Sequence, residues 1–125
     1  MNTREMILIA DNNEDVRRII RRVIEEIDAE VIEVADGTEA IEAYEDRRPD
    51  WVLMDINMHP MDGLTAMSEI LRQHPDARVV IVSQHQDART RETALAMGAY
   101  AFVGKEDLMK LQDLLAPTLV NIKRQ

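Results

Sequence analysis

Short apolar runs alternate with amphipathic stretches along the whole chain. Glu5 to Ala10, Trp51 to Met54 and Ala77 to Val82 are the strong runs; Glu30 to Val34 and Tyr100 to Val103 are weaker versions of the same pattern. Each is short and rich in β-branched or other apolar residues, which predicts strands. Between them lie residues at helical spacing. Val16, Ile19, Ile20, Val23, Ile24 and Ile27 predict a first amphipathic helix; Ala40, Ile41 and Tyr44 mark a second. Leu64, Met67, Ile70 and Leu71 mark a third; Ala94, Leu95 and Met97 mark a fourth that Gly98 ends. Leu108, Leu111, Leu114, Leu115, Leu119 and Val120 mark a fifth, with Pro117 expected to kink or shorten it.

Start signals agree with these segments. Asp36-Gly37-Thr38-Glu39 has the form of a capping box, and Asp62 and Asp87 stand at N-cap positions. Five strands alternating strictly with five helices predict an α/β fold. The sheet is parallel and doubly wound, with helices on both faces and strand order 2-1-3-4-5. With 125 residues and no linker composition, the chain reads as one domain over 1–125.

Composition then narrows the chemistry. There is no cysteine, which excludes disulfides, thiolate metal sites and cysteine nucleophiles. A net charge of −9 argues against direct nucleic-acid binding, because phosphate contacts need a basic face. Few aromatic residues leave no base-stacking platform. The longest N-terminal apolar run, Met6 to Ala10, is too short for a signal peptide or membrane span. The chain is therefore expected to be cytoplasmic and off the membrane. His59, His74 and His85 have no metal-ligand spacing.

The carboxyl ends of parallel strands open on one edge, and ligands of such sheets bind there. Strand one is followed by Asp11-Asn12-Asn13-Glu14-Asp15 and strand three by Asp55. Strand four is followed by Ser83-Gln84-His85 and strand five by Gly104-Lys105-Glu106. Each residue taken alone has an ordinary explanation: Asp11 or Asn12 as a helix cap, Ser83 as a turn hydroxyl, Lys105 as a solvated charge. A cation at a helix start opposes the helix dipole, so Lys105 is expected to be held by a carboxylate. Two acids, a hydroxyl and a lysine on one edge form a constellation rather than four coincidences.

That constellation resembles the receiver domain of two-component response regulators. The resemblance spans the chain and rests on the acidic cluster after strand one, Asp55 with Met58 and Met61-Asp62-Gly63, Ser83, Gly98-Ala99 and Lys105. It implies that Asp55 accepts a phosphoryl group from a sensor histidine kinase or phosphotransfer protein. It implies Mg²⁺ at Asp11, Asn12, Asp55 and the carbonyl of Asn57. Ser83 and Lys105 would contact phosphoryl oxygens, and Phe102 would change rotamer. Output would pass by protein contact through the face from Asp87 to Leu115, with homodimer formation left open.

Several positions depart from the family pattern. The second acid after strand one is replaced by Asn12. A missing unit charge about 4 Å from the ion costs roughly 1 to 4 kcal/mol, or about one to three decades of affinity. The loop proline is displaced to give Met58-His59-Pro60; Gln84 replaces a small residue, and Glu106 follows Lys105 where proline is typical. Asn57 and His85 occupy positions that tune dephosphorylation in the family. The alternative function is a receiver-fold interaction module with weak or no phosphorylation. An aspartate-nucleophile phosphatase would need a second acid where Asn57 stands, and no phosphate loop of the flavodoxin type follows strand one.

Overall fold

The computed structural model of the chain describes residues 4–115. In chain order the elements are β1 (Glu5–Ala10), α1 (Glu14–Val23), β2 (Ala29–Val34), α2 (Gly37–Arg47), β3 (Trp51–Met54) and α3 (Gly63–Gln73). They continue with β4 (Val79–Ser83), α4 (Ala88–Ala96), β5 (Ala101–Gly104), a 3₁₀ turn (Lys105–Asp107) and α5 (Lys110–Leu115). All strand pairs are parallel and the sheet order is β2-β1-β3-β4-β5, as expected from the alternation.

Successive strand residues face opposite sides, so each strand feeds two cores. Leu8, Val52, Met54, Ile81 and Phe102 pack with Ala40 and Tyr44 of α2, Met67 and Ile70 of α3, and Ala94 of α4. Ile7, Ile9, Leu53, Val80 and Val103 pack on the other side with Ile20 of α1 and Leu111 and Leu115 of α5. The central strands β3 and β4 are buried throughout, which is why their sequences read as unbroken apolar runs.

The helix starts are set by carboxylate and amide caps. Asp36, Asp62 and Asp87 accept from the amides of Glu39, Thr65 and Thr90. The reciprocal arm of the Asp36 box lands one residue early, with the Ala35 amide donating to Glu39 Oε1. Gly98, at φ 110°, turns the chain out of α4 in a backbone region closed to most side chains.

Three expectations are corrected. Neither Asp11 nor Asn12 caps α1; Asn13 does, accepting from the amides of Asp15 and Val16. α1 stops at Val23, and Ile24 and Ile27 belong to the following turn while still packing in the α1–α5 core. Hydrophobic spacing alone cannot separate a packed turn from a fourth helical turn. Leu108 precedes α5, which begins at Lys110 after the 3₁₀ turn. Pro117, Leu119 and Val120 lie outside the described residues.

Candidate functional site

The carboxyl ends of β1, β3, β4 and β5 converge where the strand order reverses between β1 and β3. Asp11 follows β1 directly, and its amide donates to the Val34 carbonyl. The Asp55 amide donates to the carbonyl of Ala10, so both acids are fixed by the sheet's own hydrogen bonding. Ser83 is the last residue of β4 and lies in register with Gly104, immediately before Lys105.

Asp11, Asp55 and Lys105 meet in a nearly closed space, and Ser83 is buried at the neighbouring strand end. Asp11 is 1% exposed, Asp55 5% and Ser83 0%. Lys105 Nζ lies 2.9 Å from Asp11 Oδ2 and 3.4 Å from Asp55 Oδ1. Lys105 is thus held by carboxylates, and more closely by Asp11 than by Asp55. Asp11 Oδ1 accepts from the Asn13 amide. Oδ2 is fully buried and has no hydrogen-bond partner among the described residues; the lysine satisfies its charge without lying along a hydrogen-bond direction. Ser83 Oγ accepts from the His85 amide, folding the start of the β4–α4 loop over the site. Asn12, Asn57, Gln84 and His85 are exposed at the rim.

Burial pushes the Asp55 carboxyl above its ordinary 3.8, the charge of Asp11 pushes it further, and Lys105 offsets this only in part. A carboxyl that binds its proton more tightly when folded makes its largest stability contribution at low pH. That contribution declines as pH rises from 3.8 through the raised folded value, then stays constant. Removing the one cation facing both acids amplifies this. Lys105→Met is expected to lose about 2 kcal/mol at neutral pH, a value reduced from that of a fully buried pair because Lys105 is 16% exposed. The deficit should shrink at low pH as Asp55, whose proton is held more tightly in the folded state, becomes neutral. Thermal melts across pH check this, and a deficit independent of pH would show that only packing was lost.

The site has the donors that Mg²⁺ prefers: hard oxygens, with one or two carboxylates and room for substrate oxygens and water rather than a full protein cage. The buried Asp11 Oδ2 and the mutual repulsion of Asp11 and Asp55 both fit a cation. Among the described residues no group of three or more His, Cys, Asp or Glu is placed to hold a metal ion.

Three residues shape the site through contacts that the sequence does not show. Gly63 opens α3 with its amide donating to the Ile56 carbonyl, and a Cβ there would collide with the backbone carbonyl of Asp55. Gly104 has the side chain of Gln86 lying across the place its own Cβ would occupy. Arg17 reaches back from α1 to the carbonyl of Asp11. Gly63 and Gly104 were legible as loop residues after strands three and five, and Arg17 left a signal as a charge three residues before buried Ile20 on an amphipathic helix.

Fold and site together define a doubly wound α/β domain that gathers two buried aspartates, a hydroxyl and a lysine at one strand edge. The chain belongs to the response regulator receiver domain family, whose model matches residues 7–116. It is a receiver domain of two-component response regulators. The chemotaxis protein CheY of Listeria monocytogenes is 34% identical over 100 residues, covering 79% of this chain and 84% of that protein. The transcriptional regulatory protein YhcZ of Bacillus subtilis is 35% identical over 114 residues, 86% of this chain and 53% of YhcZ. The CheX–CheY–BeF3–Mg²⁺ complex from Borrelia burgdorferi contains a fold matching at TM-score 0.83 and 27% identity, over 92% of this chain and 89% of that one. The match covers 53%, 35% and 29% of the length of three longer curated relatives. Among the described residues no helix is long and apolar enough to cross a membrane.

Proposed function

We propose that the chain is a phosphoacceptor, with Asp55 taking a phosphoryl group from a phosphohistidine of a sensor kinase or phosphotransfer protein. The observation that carries this reading is the pairing of a buried Asp55 with Asp11 and Lys105 at one strand edge. An Asp55 carboxylate oxygen forms the new O–P bond, the P–N bond breaks, and the imidazole leaves as the proton-bearing ring. Such transfers need positioning and charge neutralisation more than covalent assistance. Asp11, Asn12, Asp55 and the Asn57 carbonyl would hold Mg²⁺, which supplies charge neutralisation on the phosphoryl oxygens. Lys105 shifts from the carboxylates to a phosphoryl oxygen. Ser83 donates its hydroxyl to another, drawing in the loop that His85 now ties to it.

Drawing in that loop releases space beside Phe102, which is buried on β5 beneath the guanidinium of Arg91 at 5.1 Å. The signal then leaves by protein contact through α4, β5 and α5, within Asp87 to Leu115, a local charge event biasing a two-state element. The chain's part in catalysis is confined to its own modification and its slow reversal.

Acetyl phosphate with Mg²⁺ should add one phosphoryl group by intact mass, and Asp55→Asn should abolish the adduct. An adduct that survives Asp55→Asn would place the chemistry elsewhere. An adduct missing from both the natural chain and Asn12→Asp would overturn the reading in favour of an interaction module.

A further inference from the structure

α1 carries four arginines, and one of them behaves unlike the others. Arg18, Arg21 and Arg22 are exposed. Arg17 is only 16% exposed and turns inward. Its Nη1 donates to the backbone carbonyl of Asp11 at 2.7 Å, and its Nε donates to Glu33 Oε1 on β2 at 2.9 Å. Glu33 also takes Arg21 at 3.2 Å, so the carboxylate that orients Arg17 is itself fixed from the same helix.

We propose that Arg17 is a positioning residue for the cation-binding corner of the site. The inference rests on the phosphoacceptor reading above. The guanidinium fork spans two elements: one arm holds β2 through Glu33, the other pulls the Asp11 carbonyl toward α1. A peptide group is planar, so fixing that carbonyl also fixes the Asn12 amide and the plane from which the Asn12 side chain leaves. Two residues on from the same carbonyl, the Asn13 amide holds Asp11 Oδ1. Arg17 therefore closes a short loop whose two ends are the helix cap at Asn13 and the strand end at Ala10. Both proposed side-chain ligands from this loop, Asp11 and Asn12, sit inside it.

The arrangement also explains why a cation is tolerated beside a cation site. Glu33 neutralises Arg17, leaving the fork's geometry without its full field. A residue that sets ligand orientation from behind is commonly responsible for tenfold or more of metal affinity. With Asn12 offering an amide oxygen and no charge, orientation has to supply what attraction does not.

Charge and orientation predict opposite signs, which makes the proposal testable. Arg17→Met removes a positive charge, so simple electrostatics predicts tighter Mg²⁺ binding. Arg17→Lys keeps the charge but cannot hold Asp11 and Glu33 together as a fork, so electrostatics predicts no change. The positioning role predicts weaker Mg²⁺ binding in both, by about 10-fold or more. Arg22→Met, at an exposed arginine with no ion pair among the described residues, makes the same formal charge change without touching the loop and should leave the affinity near that of the natural chain.

The experiment is titration of each folded chain with Mg²⁺ alone, read by Trp51 fluorescence and by the shift in melting temperature. If Arg17→Met proves too unstable to titrate, Arg17→Lys decides by itself. Weaker binding in the Arg17 variants but not in Arg22→Met supports the clamp. Unchanged or tighter binding, with only a lowered melting temperature, overturns it. A natural chain that fails to respond to Mg²⁺ at any concentration, with Asn12→Asp also silent, takes down the proposal together with the reading it rests on.

Discussion

Asn12→Asp should lower the Mg²⁺ concentration needed for half-maximal phosphorylation of Asp55 by about 10- to 30-fold. A unit charge restored about 4 Å from the ion gains roughly 1 to 4 kcal/mol between aqueous and partly shielded surroundings, which spans about one to three decades. Asn12 is exposed at the rim, unlike buried Asp11, so water screens much of the gain and the lower half of that range applies. The substitution has a second consequence of opposite sign. In chelator it adds a third carboxylate beside Asp11 and Asp55, which already share Lys105 as their ion-pair partner. The metal-free melting temperature should therefore fall while the Mg²⁺-induced rise grows. Intact mass after timed exposure to acetyl phosphate at graded Mg²⁺ gives the first quantity, and thermal shift gives the second. A change of less than threefold in the Mg²⁺ requirement would mean that Asn12 does not face the ion.

Gly63→Ala should destabilise the domain by about 3 kcal/mol, at the upper end of ordinary overpacking, lowering its melting temperature by roughly 10 to 15 °C. One methyl group has this effect because of what it meets. The added Cβ would fall on the backbone carbonyl of Asp55, and on Met54 Cγ at 2.9 Å. Neither a strand carbonyl nor the helix start, capped by Asp62 and tied by the Gly63 amide to Ile56, can yield cheaply. Whatever relaxation occurs must displace Asp55, so the surviving folded fraction should also phosphorylate more slowly. Denaturant melts alongside phosphorylation rates at a temperature where both chains are folded separate the two effects. A variant with native stability would show that the β3–α3 loop is far softer than its hydrogen bonds indicate. The collision is about space rather than backbone freedom, in contrast to Gly98, where the positive φ sets the requirement.

Strand order and layer assignment were legible because apolar runs and helical spacing alternate without exception, and parallel topology follows from that alternation. The convergence of Asp11, Asp55, Ser83 and Lys105 was legible for the same reason, since carboxyl ends of parallel strands share an edge. Local competition was harder to read. Asp11, Asn12 and Asn13 are three successive residues able to cap α1, and only the folded loop gives the task to Asn13, leaving Asp11 free to face Lys105. Ile27 follows helical spacing yet sits in a turn, because the α1–α5 core accepts an apolar side chain from either backbone. Gly63, Gly104 and Arg17 act through contacts across 8, 18 and 6 residues, with Asp55, Gln86 and Asp11 respectively, and no periodicity records such meetings. The preference of Lys105 for Asp11 over Asp55 likewise depends on distances of 2.9 and 3.4 Å that spacing cannot supply.

The chain's one tryptophan stands at the opposite end of β3 from the proposed phosphorylation site. Trp51 is buried, with the Arg78 guanidinium 4.2 Å over its ring and the Tyr100 ring edge-on at 5.0 Å. Tyr100 directly precedes β5, and Lys105 directly follows it. The four residues of β5 therefore join the indole's neighbour to the lysine, five steps of near-extended chain that span roughly 15 to 17 Å. A tug on Lys105 along the strand need shift the phenol only slightly to alter its edge contact with the indole. If phosphorylation draws Lys105 away from Asp11, Trp51 emission is expected to change through its contact with Tyr100, and emission that stays the same would show that β5 does not move.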